Sequence, residues 1–395
     1  MTSYDSKFRA AAIQAEPVWM DVDATIDKTI AMMEEAARNG AQIMATPEVW
    51  LPGYPQFIWV NDQLGAYSHY LKYHENSLEL GDERMQRIQR AAAFNNIAII
   101  LGYSEREGGS RYMAQAFIDQ TGEIVGNRRK LKPSHAERTL YGEGKGIDFF
   151  THDFPFGRVG ALQCWEHFQP LNKQLMYSLG EQVHIASWPA LFAFRQHVFQ
   201  FGLEANETVT RSYALEGQVF VIAASQLIGE ATLDYFGNTE ERRGYLAGPD
   251  GKSPVGGGWA RIFGPDGSSL ADPLPEHIEG IIYGDIDLSA IILAKGAADP
   301  VGHYARPDVL SLNFDNREHR PLRYVGDNGA AAPAALSRVE MYRQKLLAKE
   351  SRQRHLAVQH ENHATIGQSS PMLLERPMSA EIEPEESKAP RRAGA

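Results

Sequence analysis

The chain has 395 residues, a formal net charge of -11 and 43% hydrophobic residues. These values are typical of a globular protein with a large core, and the acidic balance argues against nonspecific binding to nucleic acid or anionic membranes. No apolar stretch approaches the roughly 18 residues of a transmembrane helix, and the amino terminus lacks a signal-peptide pattern, so we expect a cytoplasmic protein. The single cysteine excludes an internal disulfide and a cysteine-rich zinc site.

Predicted strands and helices alternate along the first half of the chain. Apolar residues recur at helical spacing from about Asp23, and Asn39-Gly40 supplies a stop signal, so we predict a helix between them. The stretch 120–122 separates two strand-like runs, 112–119 and 123–131, which predicts a hairpin. Further strands are predicted at 8–15, 41–50 and 97–103, and a further helix at 82–94.

The second half of the chain repeats this order of elements. The predicted strands are 158–166, 183–189, 218–226, 259–267 and 279–288, and the predicted helices are 170–182 and 201–217. A Pro-Asp-Gly turn separates the last two strands. Alternating helices and buried strands argue against an all-β sandwich or a helix bundle, and they favour a two-layer or four-layer α/β fold.

The composition changes after about residue 312. The stretch 326–337 has the composition of a linker, and 339–355 is predicted to form one amphipathic helix. The stretch 360–395 is polar, so we predict that it is disordered and that its removal leaves the fold intact. These patterns predict a catalytic domain at 1–312 and a partly disordered C-terminal extension at 313–395.

Four residues near predicted strand ends are candidates for catalysis. Cys164 lies between a strand and a helix, where backbone N–H groups can hold a developing anion beside its thiol. Glu48 ends a buried strand and could accept the thiol proton and later activate water. Lys130 ends the hairpin and could stabilise negative charge on the reacting centre. Glu137, in the polar loop that follows, could orient Lys130 or water.

Simpler interpretations exist for each of these residues. A lone cysteine is often a small buried hydrophobe, and Glu48 and Glu137 could be surface charges. The basic run that contains Lys130 could be solvated, and the other candidates for the cationic role are Arg128, Arg129 and Lys132. Strand alternation places Lys130 and Lys132 on the same face, so alternation does not choose between them.

Three segments resemble, in order, the catalytic segments of the nitrilase superfamily: PEVWLPGYP, RRKLKPSHAERTLYGEG and GALQCWEHFQPL. EQVHIASWP, ALEGQVFVIAASQ and DPVGHYARPDVL resemble its nitrilase branch in particular, and the resemblance covers about residues 8–312. It implies the αββα sandwich of that superfamily and a triad of Glu48, Lys130 and Cys164. Glu137 matches the additional family glutamate. The family's lysine directly follows the arginine run, and this match selects Lys130 over Lys132.

The resemblance also implies an activity. The expected reaction is hydrolysis of a small aromatic, arylaliphatic or aliphatic nitrile to the carboxylic acid and ammonia, through a thioimidate and a thioester on Cys164. Proton transfers and additions need neither a metal nor an organic cofactor, and we expect none. The alternatives are an amidase or a cyanide-degrading enzyme with the same triad, and a non-catalytic scaffold protein. The expected partners are the nitrile, water and further copies of the chain, stacked into spirals or filaments, with no nucleic acid or membrane.

Several residues close to the triad are candidates for binding the substrate. They are Tyr54, Trp165, Trp188, Ala190 and Phe192. A mainly aromatic lining suits an apolar or arylaliphatic nitrile, although core packing explains the same residues. Three histidines, His135, His167 and His184, lie in separate segments without the spacing of metal ligands, so we predict structural positions for them.

Overall fold

The protein is described by a computed structural model that covers residues 7–190, 198–246, 256–317, 319, 338–344 and 346–347. Its contacts divide the chain into two compact units, Met1–Tyr342 and Arg343–Ala395. The domain boundary predicted at residue 312 stays a prediction, and the stretches 326–337 and 360–395 lie outside the described residues. Within the predicted amphipathic helix, residues 339–344 are helical.

Eleven strands are present in the described part of the chain. They are β1 (Lys7–Ala15), β2 (Ala41–Ala45), β3 (Ala98–Glu107), β4 (Ser110–Ile118), β5 (Ile124–Arg129), β6 (His152–Phe154), β7 (Gly157–Gln163), β8 (Val183–Trp188), β9 (Phe220–Gln226), β10 (Arg261–Phe263) and β11 (Gly280–Asp287). The α-helices whose first and last residues lie in the described part of the chain are α1 (Val22–Arg38), α2 (Phe57–Val60), α3 (Gln63–Tyr67), α4 (Tyr70–Asn76), α5 (Glu83–Asn95), α6 (Pro170–Ser178), α7 (Leu203–Gly217), α8 (Glu230–Phe236), α9 (Glu240–Leu246) and α10 (Ser289–Ala297).

All these strands belong to one hydrogen-bonded sheet. Its order is β5-β4-β3-β2-β1-β9-β8-β7-β6, with β10 beside β9 and β11 beside β1. β1 pairs along most of its length with β11, antiparallel, and through residues 9–12 with β2, in parallel. Only Gln14 and Ala15 of β1 pair with β9. This short junction connects two halves of the sheet, one built around β1–β5 and one around β6–β10.

The two halves of the sheet pack face to face. Phe8, Ala10 and Ala12 of β1 belong to a core shared with β7, β8 and β9. The alternate residues of β1, Ala11 and Ile13, belong to a second core shared with α1 and α5. A third core joins the outer side of β7–β9 to α6 and α7. The layers are therefore helix, sheet, sheet and helix, which confirms the predicted αββα sandwich.

Local signals determine where the long helices begin and end. The side chain of Asp21 accepts a hydrogen bond from the N–H of Ala24 at the start of α1, at 2.9 Å. Asp82 accepts one from Met85 at the start of α5, also at 2.9 Å. Such caps satisfy N–H groups that have no partner within the helix. α1 ends before Gly40, whose φ of 81° suits glycine, as the Asn-Gly signal predicts.

Several predicted elements differ from the observed ones. The strand predicted at 41–50 ends at Ala45, because the chain turns at Pro47, which has no N–H to donate to a sheet. The strand predicted at 158–166 ends at Gln163. The strands predicted around the Pro-Asp-Gly turn do not pair with each other, because β10 pairs with β9 and β11 with β1. The short helices α2–α4, α8 and α9 were not predicted from the pattern of apolar residues. Among the described helices, none combines the length and apolarity needed to cross a bilayer.

Candidate active site

The four predicted catalytic side chains converge at one edge of the sandwich. Glu48 lies just after β2, Lys130 directly after β5 and Cys164 directly after β7. Glu137 lies in a short 3-10 helix, His135–Thr139, which follows β5. All four side chains are buried. Carboxyl ends of parallel strands are the usual place for a ligand site in an α/β sheet, and β2 and β7 supply two such ends here.

An ammonium group between two carboxylates forms the centre of the site. The Nζ atom of Lys130 donates to Oε1 of Glu48 at 2.8 Å and to Oε2 of Glu137 at 2.8 Å. The backbone of Glu48 is fixed as well, because its N–H donates to Trp188 O at 3.2 Å and its carbonyl accepts from Gln226 Nε2 at 2.7 Å. Oε2 of Glu48 has no hydrogen-bond partner within the described residues. That buried oxygen is available to receive a proton.

Burial and neighbouring charges set the protonation of these groups. Burial raises the pKa of Glu48 to about 8; the positive charge of Lys130 opposes this rise, and the second carboxylate, Glu137, adds to it. Burial alone lowers the pKa of Lys130, but the charges of Glu137 and Glu48 outweigh it and leave that pKa raised. Burial and the charge of Glu48 raise the pKa of the Cys164 thiol well above its ordinary value. The thiol therefore rests protonated beside a carboxylate whose proton affinity is high.

The backbone at Cys164 is strained. Its φ of 47° places a non-glycine residue in the left-handed region, which costs on the order of 1–3 kcal/mol and requires support from the surroundings. The residue opens a short 3-10 helix, Cys164–Phe168, directly after β7. The backbone N–H of Trp165 faces the thiol closely enough to offset part of the rise in its pKa. This sharp turn brings the sulfur and a backbone donor together.

The basic run 128–132 separates into distinct roles. Arg128 is buried and donates to Glu166 Oε1 at 2.7 Å, and Arg129 donates to Glu105 Oε1 at 2.6 Å. Lys132 is exposed and pairs with Glu143 at the surface. Within this run, Lys130 is the cation that contacts Glu48 and Glu137. β5 ends at Arg129, so strand alternation does not extend to the two lysines.

Glu166 ties the cysteine turn to the lysine segment. Its Oε2 accepts from the N–H of Gln163 at 2.8 Å, and its Oε1 accepts from the N–H of Leu131 at 2.8 Å. Burial raises the pKa of Glu166, but the charge and hydrogen bond of Arg128 outweigh this effect and leave the pKa lowered. Glu166 thus stays ionised and holds the segments of Cys164 and Lys130 at a fixed separation.

A small cavity of about 50 Å³ opens onto Cys164. Among the predicted binding residues, Tyr54, Trp165 and Ala190 line it. Trp188 does not: its indole is fully buried, stacked on His167 at a ring distance of 5.2 Å and edge-on to Trp259 at the same distance. The structure therefore does not bring Trp188 to this cavity, because its side chain packs into the core shared with α6 and α7. Phe192 lies outside the described residues.

Other residues of the cavity wall escaped the sequence analysis. They are Gln56, Trp59, Ser134, Pro189 and Phe201. His135, for which a structural position was predicted, and Glu137 also reach the wall. Trp59 donates from Nε1 to the hydroxyl of Tyr54 at 3.0 Å, and that hydroxyl donates to Glu137 Oε1 at 2.9 Å. The signal for Trp59 was its position shortly after the Glu48 motif, five residues beyond Tyr54, in what the structure shows to be α2. A chain of hydrogen bonds therefore connects the cavity wall to the charged cluster.

The three histidines occupy two different environments. His135 lies at the cavity, edge-on to Trp165 at a ring distance of 5.1 Å. His167 and His184 are buried and hydrogen-bonded to each other at 2.9 Å. Across the residues that the structure covers, no group of three His, Cys, Asp or Glu side chains is placed to hold a metal ion.

The αββα fold and a buried cluster of glutamate, lysine and cysteine beside a small cavity are the arrangement expected of an enzyme that attacks a carbon–nitrogen bond with a thiol. The carbon-nitrogen hydrolase family model matches residues 9–295, and the chain belongs to that family. It falls in the nitrilase branch, as the following relatives indicate.

An aliphatic nitrilase of Rhodococcus rhodochrous is 59% identical over 347 residues, which cover 87% of this chain and 89% of that protein. A nitrilase of Pseudomonas syringae pv. syringae is 46% identical over 307 residues, which cover 78% of this chain and 89% of that one. Among solved structures, the C. elegans NitFhit protein superposes with a TM-score of 0.62 at 18% identity, covering 81% of this chain and 70% of that chain. This last similarity concerns the fold alone.

Proposed function

We propose that the protein hydrolyses small nitriles, aliphatic ones in preference, to the carboxylic acid and ammonia, with Cys164 as the nucleophile. One observation carries the proposal: Lys130 bridges Glu48 and Glu137 beside the buried thiol. A carboxylate with a free oxygen is then available as the base, and a fixed cation is available to stabilise negative charge.

The first half of the reaction forms a covalent bond between sulfur and the nitrile carbon. Oε2 of Glu48 takes the proton of Cys164, and the thiolate attacks the carbon of the nitrile. One electron pair of the triple bond moves to nitrogen, which takes up the proton and becomes a thioimidate. The N–H of Trp165 and the ammonium group of Lys130 stabilise the negative charge during this step.

The second half consumes two molecules of water. Glu48 removes a proton from the first water, which adds to the thioimidate carbon and gives a tetrahedral intermediate. Protonated nitrogen leaves as ammonia and a thioester remains. A second water, activated in the same way, releases the carboxylic acid and returns the thiol. If sulfur leaves the tetrahedral intermediate before ammonia, the product is the amide.

The cavity supports a small substrate. Its volume is about 50 Å³, and side chains of Tyr54, Trp59 and Trp165 form much of its described wall. Such a narrow apolar space suits a short aliphatic nitrile better than a substituted aromatic one. The printed name of the relative at 59% identity points to the same class of substrate.

Ammonia release from a panel of butyronitrile, an aliphatic dinitrile, phenylacetonitrile, benzonitrile, cyanide and butyramide tests the proposal, with Cys164→Ala as the control. We expect release from the aliphatic nitriles that vanishes in Cys164→Ala. Release from butyramide with none from the nitriles would identify an amidase, and release from cyanide alone would identify a cyanide-degrading enzyme. Silence on the whole panel would favour the scaffold alternative.

We further propose that 1–312 is the catalytic domain and that the protein works as a homo-oligomer in the cytoplasm. Large apolar side chains are exposed in the described structure, among them Leu64, Leu71 and Phe94. A second copy of the chain would cover such groups, and a reducing compartment would protect the single thiol. Light scattering of the purified full-length protein tests the oligomer, and a monomer at micromolar concentration would contradict it.

A further inference from the structure

A series of hydrogen-bonded buried side chains leads away from the nucleophile, and none of its members lines the cavity. Nδ1 of His167 is 2.6 Å from the carbonyl oxygen of Cys164, and Nε2 of His167 is 2.9 Å from Nε2 of His184. Nδ1 of His184 is 2.7 Å from Oε1 of Glu181, and the hydroxyl of Tyr213 donates to Oε2 of Glu181 at 2.6 Å. The proposed reaction moves no proton through these groups.

The order of the protons in this series follows from its last acceptor. A carbonyl oxygen only accepts, so Nδ1 of His167 carries a hydrogen and donates to it. Nε2 of a neutral His167 then accepts from Nε2–H of His184, and Nδ1 of a neutral His184 accepts from a protonated Glu181. Burial lowers the pKa of both histidines and raises that of Glu181 to about 8, which agrees with this order at neutral pH.

Packing fixes the rings of both histidines. His167 stacks on Trp188 with an angle of 23° between the ring planes, and His184 stacks on Tyr213 at a centroid distance of 3.8 Å. Both histidines are fully buried. The donor that meets the Cys164 carbonyl therefore has a defined position, set by β8 and α7.

The orientation of this carbonyl matters because of the peptide bond that contains it. In a planar trans peptide, the C=O of Cys164 and the N–H of Trp165 point in opposite directions. A donor that holds the carbonyl on the buried side thereby turns the Trp165 N–H towards the thiol, whose pKa this backbone group lowers. Cys164 has a φ of 47°, a conformation that a non-glycine side chain does not favour, so the peptide needs such an anchor.

We propose that His167, supported by His184 and Glu181, is a positioning residue that orients the Cys164–Trp165 peptide so that its N–H stabilises the charge developing on the nitrile nitrogen. This inference rests on the proposed function. His167 contacts no reacting atom, and it acts through the peptide. Trp188, which the sequence predicted to line the cavity, instead supports the position of His167 by stacking on its imidazole.

Two substitutions of His167 separate positioning from general structural support. Asparagine places an amide N–H close to the position of Nδ1–H, whereas glutamine places its amide near Nε2 and offers none at Nδ1. Both remove the imidazole and its stacking. The assay is ammonia release from butyronitrile, expressed per folded protein, with the folded fraction of each variant measured by circular dichroism.

We expect His167→Gln to lower kcat about 10- to 100-fold with KM changed less than about threefold, because removing a transition-state donor outright costs about 10²–10³. His167→Asn should stay within about fivefold of the wild type. Equal losses in both variants, or a loss in KM rather than in kcat, would overturn the inference. If the wild type itself released no ammonia from any nitrile, the proposed function would fail instead.

A third variant tests the order of the protons. Glutamine at position 181 donates from its amide N–H to His184 and accepts from Tyr213, as a protonated Glu181 does. Glu181→Gln should therefore keep kcat within about threefold of the wild type. Glu181→Leu removes the donor and should lower kcat towards the level of His167→Gln. Loss of activity in Glu181→Gln equal to that in Glu181→Leu would contradict the arrangement in which Glu181, His184 and His167 are all neutral.

Discussion

Replacing Glu48 with glutamine is predicted to stabilise the folded protein at neutral pH while it abolishes turnover. Burial raises the pKa of Glu48 to about 8 from 4.5, so the folded state binds a proton that the unfolded state releases. The raised pKa of Glu48 therefore lowers the free energy of unfolding, and this effect begins near pH 4.5, where the unfolded state starts to release the proton, and grows until about pH 8. Between pH 4.5 and pH 7 the effect grows over about 2.5 pH units, each worth about 1.36 kcal/mol, so the free energy of unfolding falls by roughly 3 kcal/mol.

Part of this gain is lost because glutamine is an imperfect replacement. Its oxygen accepts the bond that Lys130 donates at 2.8 Å, but its amide N–H2 takes the place of Oε2, which has no partner within the described residues, and an unsatisfied buried donor costs about 1–2 kcal/mol. The net gain in the free energy of unfolding is about 1–2 kcal/mol. For a folded unit of this size, that corresponds to a rise in Tm of about 1–3 °C.

Thermal unfolding at pH 7 and pH 5, followed by circular dichroism, measures the effect. The matched control is Glu166→Gln, a second buried glutamate whose pKa is lowered because Arg128 outweighs its burial. Removing the negative charge of Glu166 should destabilise the folded protein at pH 7. Glu48→Gln should raise Tm at pH 7 and lose that advantage at pH 5. A lower Tm for Glu48→Gln at pH 7, or an equal gain at both pH values, would refute the reasoning.

Three further predictions concern the same site. The acid limb of the pH profile of kcat/KM should have an apparent pKa near 8, because Glu48 must be ionised to act as the base, and Glu137→Gln should move this limb to lower pH. An acid limb near pH 4.5 in the wild type would contradict the assignment of Glu48 as the base. Tyr54→Phe removes the donor to Glu137 and should lower kcat about tenfold, while the free energy of unfolding falls by only about 1 kcal/mol. An unchanged kcat would show that the hydrogen bond between the cavity wall and the cluster of Glu48, Lys130 and Glu137 does not affect turnover. Arg128→Met leaves the buried carboxylate of Glu166 without its cation and should lower the free energy of unfolding by about 3–5 kcal/mol. Lys132→Met, at the surface, should change it by less than about 0.5 kcal/mol. Similar midpoints of urea unfolding for the two variants would contradict this prediction.

The sequence predicted the layered fold because its strands and helices carry distinct periods. β1 alternates between two cores, so the pattern of buried residues required a layer on each face. The long helices were predictable for the same reason, since caps such as Asp82 and stops such as Gly40 are local. The short helices α2–α4 have no such period, and their structure depends on packing around the aromatic residues of the loop after β2.

The candidate site was predictable as a set of motifs but not as a geometry. The match to the family's lysine, which directly follows the arginine run, selected Lys130. The physical separation from Lys132 comes from the fold, because β5 ends before both lysines and only Lys130 points inward. Trp188 looked like a wall residue because its strand ends near the site, but the direction of its side chain depends on the register of β8. Trp59 and Phe201 come from distant segments and meet only after folding, at a ring distance of 5.7 Å.

Mass spectrometry of the acid-quenched reaction tests the central claim most directly. Cys164 is the single cysteine, so a covalent intermediate on sulfur is assigned without ambiguity. The account predicts that mixing the enzyme with an excess of butyronitrile adds the mass of the acyl or imidoyl group to the peptide containing Cys164, and that Cys164→Ala gains no mass and releases no ammonia. Turnover by Cys164→Ala near the wild-type rate, or an adduct on any other residue, would contradict it.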